Sequence, residues 1–136
     1  MAMQTCQLCG EKSMQYSTQA VEYHYKNQSV TLEQPGEHCS ACDESILSAS
    51  DLKATRQQLA TFKAEVDQLL TPDEIKAARK ALKLTQQMAA RICGGGKNAF
   101  SRYESGELLI PRAASNLLTV LKKQKSLLDV VSMEVL

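Results

Sequence analysis

Apolar positions change their spacing twice along this chain. Val21, Tyr23 and Tyr25 alternate with Glu22 and His24, the period-two pattern of a half-buried strand. Val30 and Leu32 resume the alternation after Lys26-Asn27-Gln28, so a β-hairpin is expected, with its turn at those three residues. Pro35-Gly36 is expected to break the returning strand. From Ser50 the period lengthens: Leu52, Leu59 and Val66 recur every seven residues, with Phe62 and Leu69 between them. That pattern predicts an amphipathic helix from Ser50 to Leu70 with one apolar stripe. Such a stripe ordinarily packs on its own domain; a surface kept for a partner is the alternative.

A second all-helical pattern follows a clear boundary. Thr71 suits an N-cap, Pro72 the first helical position, and Glu74 sits three residues after the cap to close a capping box. Ile75, Ala78 and Leu82 stripe the first short helix. Thr85 caps a second, with Met88, Ala89 and Ile92 facing inward and Gly94-Gly95-Gly96 ending it. Asn98 to Glu104 predicts a third, closed by Ser105-Gly106, and Pro111 opens a fourth through Leu117, Leu118 and Leu121. The expectation is an α+β chain of two domains: residues 1–70, a small β-hairpin domain with a long helix, and residues 71–136, an all-α domain.

Composition supports the division. Only 4% of the 136 residues are aromatic and none is tryptophan, which argues for two modest cores rather than one large one. Residues 1–70 hold five Lys/Arg and nine Asp/Glu, a net charge of −4, whereas residues 71–136 hold eleven and six, a net of +5. A basic half beside an acidic half points to nucleic acid as a partner of the former. No apolar run approaches the ~18 residues of a membrane span, and no signal peptide opens the chain, so a cytoplasmic protein without a membrane partner is expected.

In that compartment cysteines serve as metal ligands more often than as disulfides. Cys6-x-x-Cys9 and Cys39-x-x-Cys42 each offer two thiolates from one tight turn, and together they complete a tetrahedron suited to Zn²⁺. Four protein thiolates leave no open coordination position, so one structural ion per chain is expected. A redox Cys-x-x-Cys would open a helix after a strand in a βαβ pattern, which is missing here. Iron–sulfur binding also uses four thiolates, but these spacings favour zinc. His38, beside Cys39, is expected outside the ligand set, and Cys93 as a small buried apolar residue.

Two short helices joined by a glycine turn, the second exposing polar residues, follow the logic of a helix-turn-helix. Phe100 and Tyr103 are expected to anchor the second of these helices. Asn98 and Arg102, four residues apart, then share a face with Lys97 and Ser101. Asn pairs bidentately with adenine and Arg with guanine in the major groove. Lys97, Ser101 and Gln86 suit phosphate contacts, which position without specifying. The competing arrangement has Arg102 paired with Glu104 or Glu107 on a solvated surface. No Ser/His/Asp grouping, phosphate-binding loop or catalytic acidic pair is present, so no enzymatic activity is expected.

Leu84-Thr85-Gln86 and the run from Gly94 through Lys97-Asn98-Ala99-Phe100-Ser101-Arg102-Tyr103-Glu104 resemble the MqsA (YgiT-type zinc finger) family of bacterial antitoxins. The knuckles Cys6/Cys9 and Cys39/Cys42, the latter continuing into Asp43-Glu44-Ser45, resemble the same family's N-terminal domain. The resemblance implies the antitoxin of a type II toxin–antitoxin pair. Its zinc domain would neutralise a small mRNA-cleaving ribonuclease, and its XRE/Cro-like helix-turn-helix domain would dimerise and repress its own operon at a palindromic operator. By that resemblance the base-reading residues fall on Asn98 and Arg102, the zinc ligands on Cys6, Cys9, Cys39 and Cys42. Segment 107–112 is more apolar than in the best-known members, and the tail through Val131, Met133 and Leu136 is longer. Without a toxin, the chain would be a stand-alone regulator with a structural zinc domain.

Overall fold

A computed structural model of the chain describes residues 3–132, an α+β protein forming two compact units, Met1–Arg56 and Gln57–Leu136. Met133 and Leu136, part of the apolar tail read from the sequence, lie outside the described residues.

The first unit is a long hairpin. β1 (Met14–Tyr25) pairs antiparallel with β2 (Gln28–Cys39), in a register running from Met14 opposite Cys39 to Tyr25 opposite Gln28. The two-residue turn places Lys26 and Asn27 at φ 47° and 67°, the left-handed geometry whose twist matches the flanking strands. β3 (Ser45–Ile46) adds to β2 opposite Glu37 and His38 only. The strand does not stop at Pro35-Gly36 as expected. Proline, which cannot donate to a ladder, is tolerated at a sheet edge, and β3 leaves β2 unpaired on that side at Pro35. Gly36 is buried against Leu47, whose side chain would overlap any Cβ placed there.

α1 (Ala49–Asp67) follows and runs from the first unit into the second. Its start is fixed by a reciprocal box: the Ser48 N–H donates to Asp51 Oδ2 at 2.9 Å, and the Asp51 N–H donates to Ser48 Oγ at 3.2 Å. The expected apolar stripe is not its buried face. Asp51, Thr55, Ala60 and Ala64 are buried, while Leu52 is 49% exposed and Leu59, Phe62 and Val66 are half-buried. The cause is polar. Gln34, fully buried on β2, donates through Nε2 to the Pro35 and Asp51 carbonyls, both at 2.8 Å. Its Oε1 accepts from the hydroxyls of Thr55, at 2.8 Å, and Tyr23, at 2.7 Å. Satisfying that amide turns the Asp51/Thr55 face of the helix toward the strand.

The second unit is helical. α2 (Pro72–Ala81) starts with the expected capping box at Thr71 and Glu74. α3 (Gln86–Cys93) is capped by Thr85, whose hydroxyl accepts from the Met88 N–H at 3.1 Å. α4 (Ala99–Ser105) ends at Gly106, and α5 (Arg112–Lys123) starts after Pro111. A short 3₁₀ turn (Lys125–Leu127) and α6 (Leu128–Ser132) close the described chain. α4 packs on α2 and α3, and α5 on the same two helices. They enclose a core that includes Ile75, Leu82, Phe100, Ile110, Leu118 and Leu121. Leu127, Leu128 and Val131 pack against this core, leaving Val130 as an exposed apolar side chain of α6.

Candidate metal centre and exposed polar helix face

Each Cys-x-x-Cys turn is closed by the residue that follows it. The Gly10 N–H donates to the Cys6 carbonyl at 2.9 Å and the Asp43 N–H to the Cys39 carbonyl at 3.1 Å. Gly10 and Asp43 both take positive φ, 81° and 60°, so the two turns are built alike although only one uses glycine. Gln4 bridges Met14, and Cys39 ends β2 opposite Met14, so the open end of the hairpin, away from its turn, brings both knuckles together.

The four Sγ atoms of Cys6, Cys9, Cys39 and Cys42 lie within 4.8 Å of one another, with Cys6 to Cys42 at 3.8 Å and Cys9 to Cys39 at 3.7 Å. A tetrahedral centre with Zn–S near 2.3 Å requires sulfurs about 3.8 Å apart, so the geometry can hold a metal ion and is consistent with zinc. The donor set makes the same point chemically. A hydrogen bond from the Ser13 hydroxyl at 3.0 Å, helped by the Cys42 N–H, lowers the Cys39 thiol to about 6. For Cys42 the Glu44 N–H pulls downward, but burial and the neighbouring sulfurs prevail and push it to about 12. Cys9 is likewise raised, despite the Glu11 N–H. Like charges so close cannot all ionise together unless a cation compensates them. His38 stands outside the sulfur cluster, its ring bonded to Ser45 Oγ at 2.6 Å and the Gln34 carbonyl at 2.9 Å. Cys93 ends α3 half-buried against the helical core, and burial raises its thiol to about 11.

The second feature is α4 with the two residues before it, Lys97 and the N-cap Asn98. Phe100 and Tyr103 are buried with rings edge-to-face, centroids 5.3 Å apart, so the anchoring face is the expected one. Lys97, Asn98, Ser101 and Arg102 are all exposed. Glu104 does not pair with Arg102. Both its oxygens are taken by Arg79 of α2, at 2.7 and 3.0 Å, and Arg79 also donates to the Leu84 carbonyl at 2.9 Å. Gln86, at the start of α3, reaches α4 through Glu104, with Nε2 3.4 Å from Glu104 Oε1.

The glycine turn before α4 is backbone-constrained. Gly94 and Gly95 have φ 86° and 97°, and a Cβ at Gly95 would come within 2.9 Å of the Ala99 Cβ. Beside this turn a cavity of about 350 Å³ is lined by Gly96, Lys97, Asn98, Arg102, Tyr103 and Leu108 among others. A second, sharing Gly95, Gly96 and Lys97 with it, has about 470 Å³ and is also lined by Gln87 and Arg91. Arg91, not singled out in the sequence, therefore joins the site's neighbourhood together with Leu108, which belongs to the apolar segment 107–112 noted there. For Arg91 the signal in the sequence is proximity to the glycine turn; for Leu108 it is the apolar segment after α4.

A four-cysteine cluster able to hold a metal ion at the end of a long hairpin, with a helical unit carrying its own core and an exposed polar helix face, defines a small two-unit α+β protein with a candidate metal site. Among the described residues no helix is long and apolar enough to cross a membrane. The family model for the antitoxin component of bacterial toxin–antitoxin systems, MqsA, matches residues 3–132. Antitoxin MqsA of Escherichia coli strain K12 is 35% identical over 126 residues, covering 91% of this chain and 96% of that relative. The chain belongs to the MqsA antitoxin family, and is thus an antitoxin of a toxin–antitoxin system.

Proposed function

We propose that this antitoxin neutralises an mRNA-cleaving ribonuclease toxin through residues 1–70 and represses its own operon through residues 71–136. The first part holds one structural Zn²⁺ on Cys6, Cys9, Cys39 and Cys42. In the second, α3, the glycine turn and α4 form a helix-turn-helix. Asn98 and Arg102 read bases, while Lys97, Ser101 and Gln86 hold phosphates, with Gln86 first exchanging its long contact to Glu104. A homodimer formed by the second part would present two α4 helices about 34 Å apart, matching a palindromic operator. The chain works by binding, in the cytoplasm, and catalyses nothing.

The supporting observation is the state of Arg102. It lies exposed on the open face of a helix whose opposite face is buried, and the acidic residue two positions on is engaged by Arg79. No ion pair holds Arg102 among the described residues. A guanidinium on the helix and an amide at its N-cap, neither held by a partner among the described residues, over a basic unit, suit a polyanion with base edges.

The neutralising half is tested by expressing the short reading frame adjacent to this gene, with and without residues 1–70, and following growth. Arrest relieved by that fragment is the expected result. Arrest relieved only by the full chain would move neutralisation to the helical unit. No arrest at all would leave a stand-alone regulator with a structural metal centre.

A further inference from the structure

The surface bearing Asn98 and Arg102 has an apolar member. Leu108 follows α4 with 48% of its surface exposed. Single exposed leucines are common and by themselves mean nothing, but this one is held in place. Gly106 turns the chain at φ 85°, after which the N–H groups of Glu107 and Leu108 both donate to the Arg102 carbonyl, at 2.9 and 3.3 Å. The backbone of Leu108 is thereby tied to the residue that bears the guanidinium. Its side chain lines the same cavity as Lys97, Asn98 and Arg102.

We propose that Leu108 is a specificity-determining residue that reads thymine, packing on the C5-methyl group beside the bases addressed by Asn98 and Arg102. The inference rests on the proposed DNA-reading role of α4. In the major groove that methyl is the feature of thymine that an apolar side chain can recognise, and neither Asn98 nor Arg102 can profit from it. A leucine fixed beside them gains by covering it, and loses that gain where the methyl is missing. The transfer worth of one methyl group corresponds to about a fourfold change in affinity.

The test uses the full chain and DNA alone. Wild-type protein enriches duplexes from a random library at fixed salt, and each thymine of the enriched duplex is then replaced singly by deoxyuridine, which removes only the methyl. At least one replacement should weaken wild type about fourfold. Leu108→Ala and Leu108→Asn should bind that duplex and its parent equally, while Leu108→Met keeps the discrimination. All three variants should match wild type on scrambled DNA. Wild type indifferent to every replacement, or Leu108→Ala losing the same fourfold, would overturn the assignment. So would a loss on scrambled DNA, which would make Leu108 structural. If wild type enriches no sequence and Asn98→Ala changes nothing, the reading of α4 itself fails, and this inference with it.

Discussion

Two arginines in the helical unit show how differently one side chain can be used. Arg102 is solvated, and its worth lies in a partner. Arg102→Ala and Asn98→Ala should each cost about 1–3 kcal/mol on the enriched duplex and little on scrambled DNA. Lys97→Ala should instead weaken both, and reduce the salt dependence by about one charge. Equal losses on both duplexes for Asn98 and Arg102 would show that neither reads bases. Arg79 is the opposite case, with only 13% of its side chain exposed and 7% of that of its partner Glu104. Removing one member strands the other charge, so Glu104→Gln or Arg79→Met should lower unfolding free energy by about 3–5 kcal/mol in urea. Replacing both with apolar residues should cost less than either single change. A loss under about 1 kcal/mol for Glu104→Gln would mean that water reaches the pair. The partners are 25 residues apart, so no local pattern could reveal them, whereas the four cysteines announced themselves by spacing alone.

At the scale of elements, α1 turns on Asp51. Its carboxylate is held below the usual range, first by the Tyr16 hydroxyl at 2.6 Å and then by the Ser48 N–H. A carboxyl lowered in the folded state contributes stability above its unfolded pKa, about 3.9, and loses that contribution as pH falls through the lower folded value. The stability gap between wild type and Asp51→Asn should therefore hold from pH 7 to about 5 and close below about 4. Acid protonation of the thiolates affects both proteins alike, so the difference in urea midpoints isolates this group. Parallel curves down to pH 3 would show that the charge adds nothing over the amide. Much of this level was legible in the sequence. The Thr71 box, the Thr85 cap, the Gly106 terminus and the hairpin all follow from local rules. The Ser48-Ala-Ser-Asp51 box is also a local pattern, and it starts the helix one residue before the expected Ser50. Nor did alternation reveal the first half of β1, because Ser17, Thr18, Gln19 and Ala20 carry no apolar period. The face α1 buries was hidden for another reason: it answers to the buried amide of Gln34, and hydrophobic spacing does not register a hydrogen-bond requirement.

For the whole molecule, the contrast between its two cores sets what the metal must do. The buried apolar cluster at the open end of the hairpin consists of Cys6, Met14 and Cys39, with Cys42 beside it. Three of those four residues are proposed ligands, so removing the metal would leave crowded thiols around one methionine. Binding a structural zinc is worth roughly 10–16 kcal/mol in small zinc-dependent domains, more than such a cluster supplies by burial. The helical unit has eleven buried residues in its cluster and borrows nothing from the cysteines of the hairpin. Chelation at neutral pH should therefore erase amide-exchange protection across β1 and β2 while leaving it in α2 to α5. The treated protein should still bind the enriched duplex but no longer relieve toxin arrest. Protection lost everywhere in one step would mean that the metal stabilises the entire chain. A hairpin still protected without metal would mean that the Gln34 network and the turn at Lys26-Asn27 suffice, which would assign the four thiolates a task other than folding.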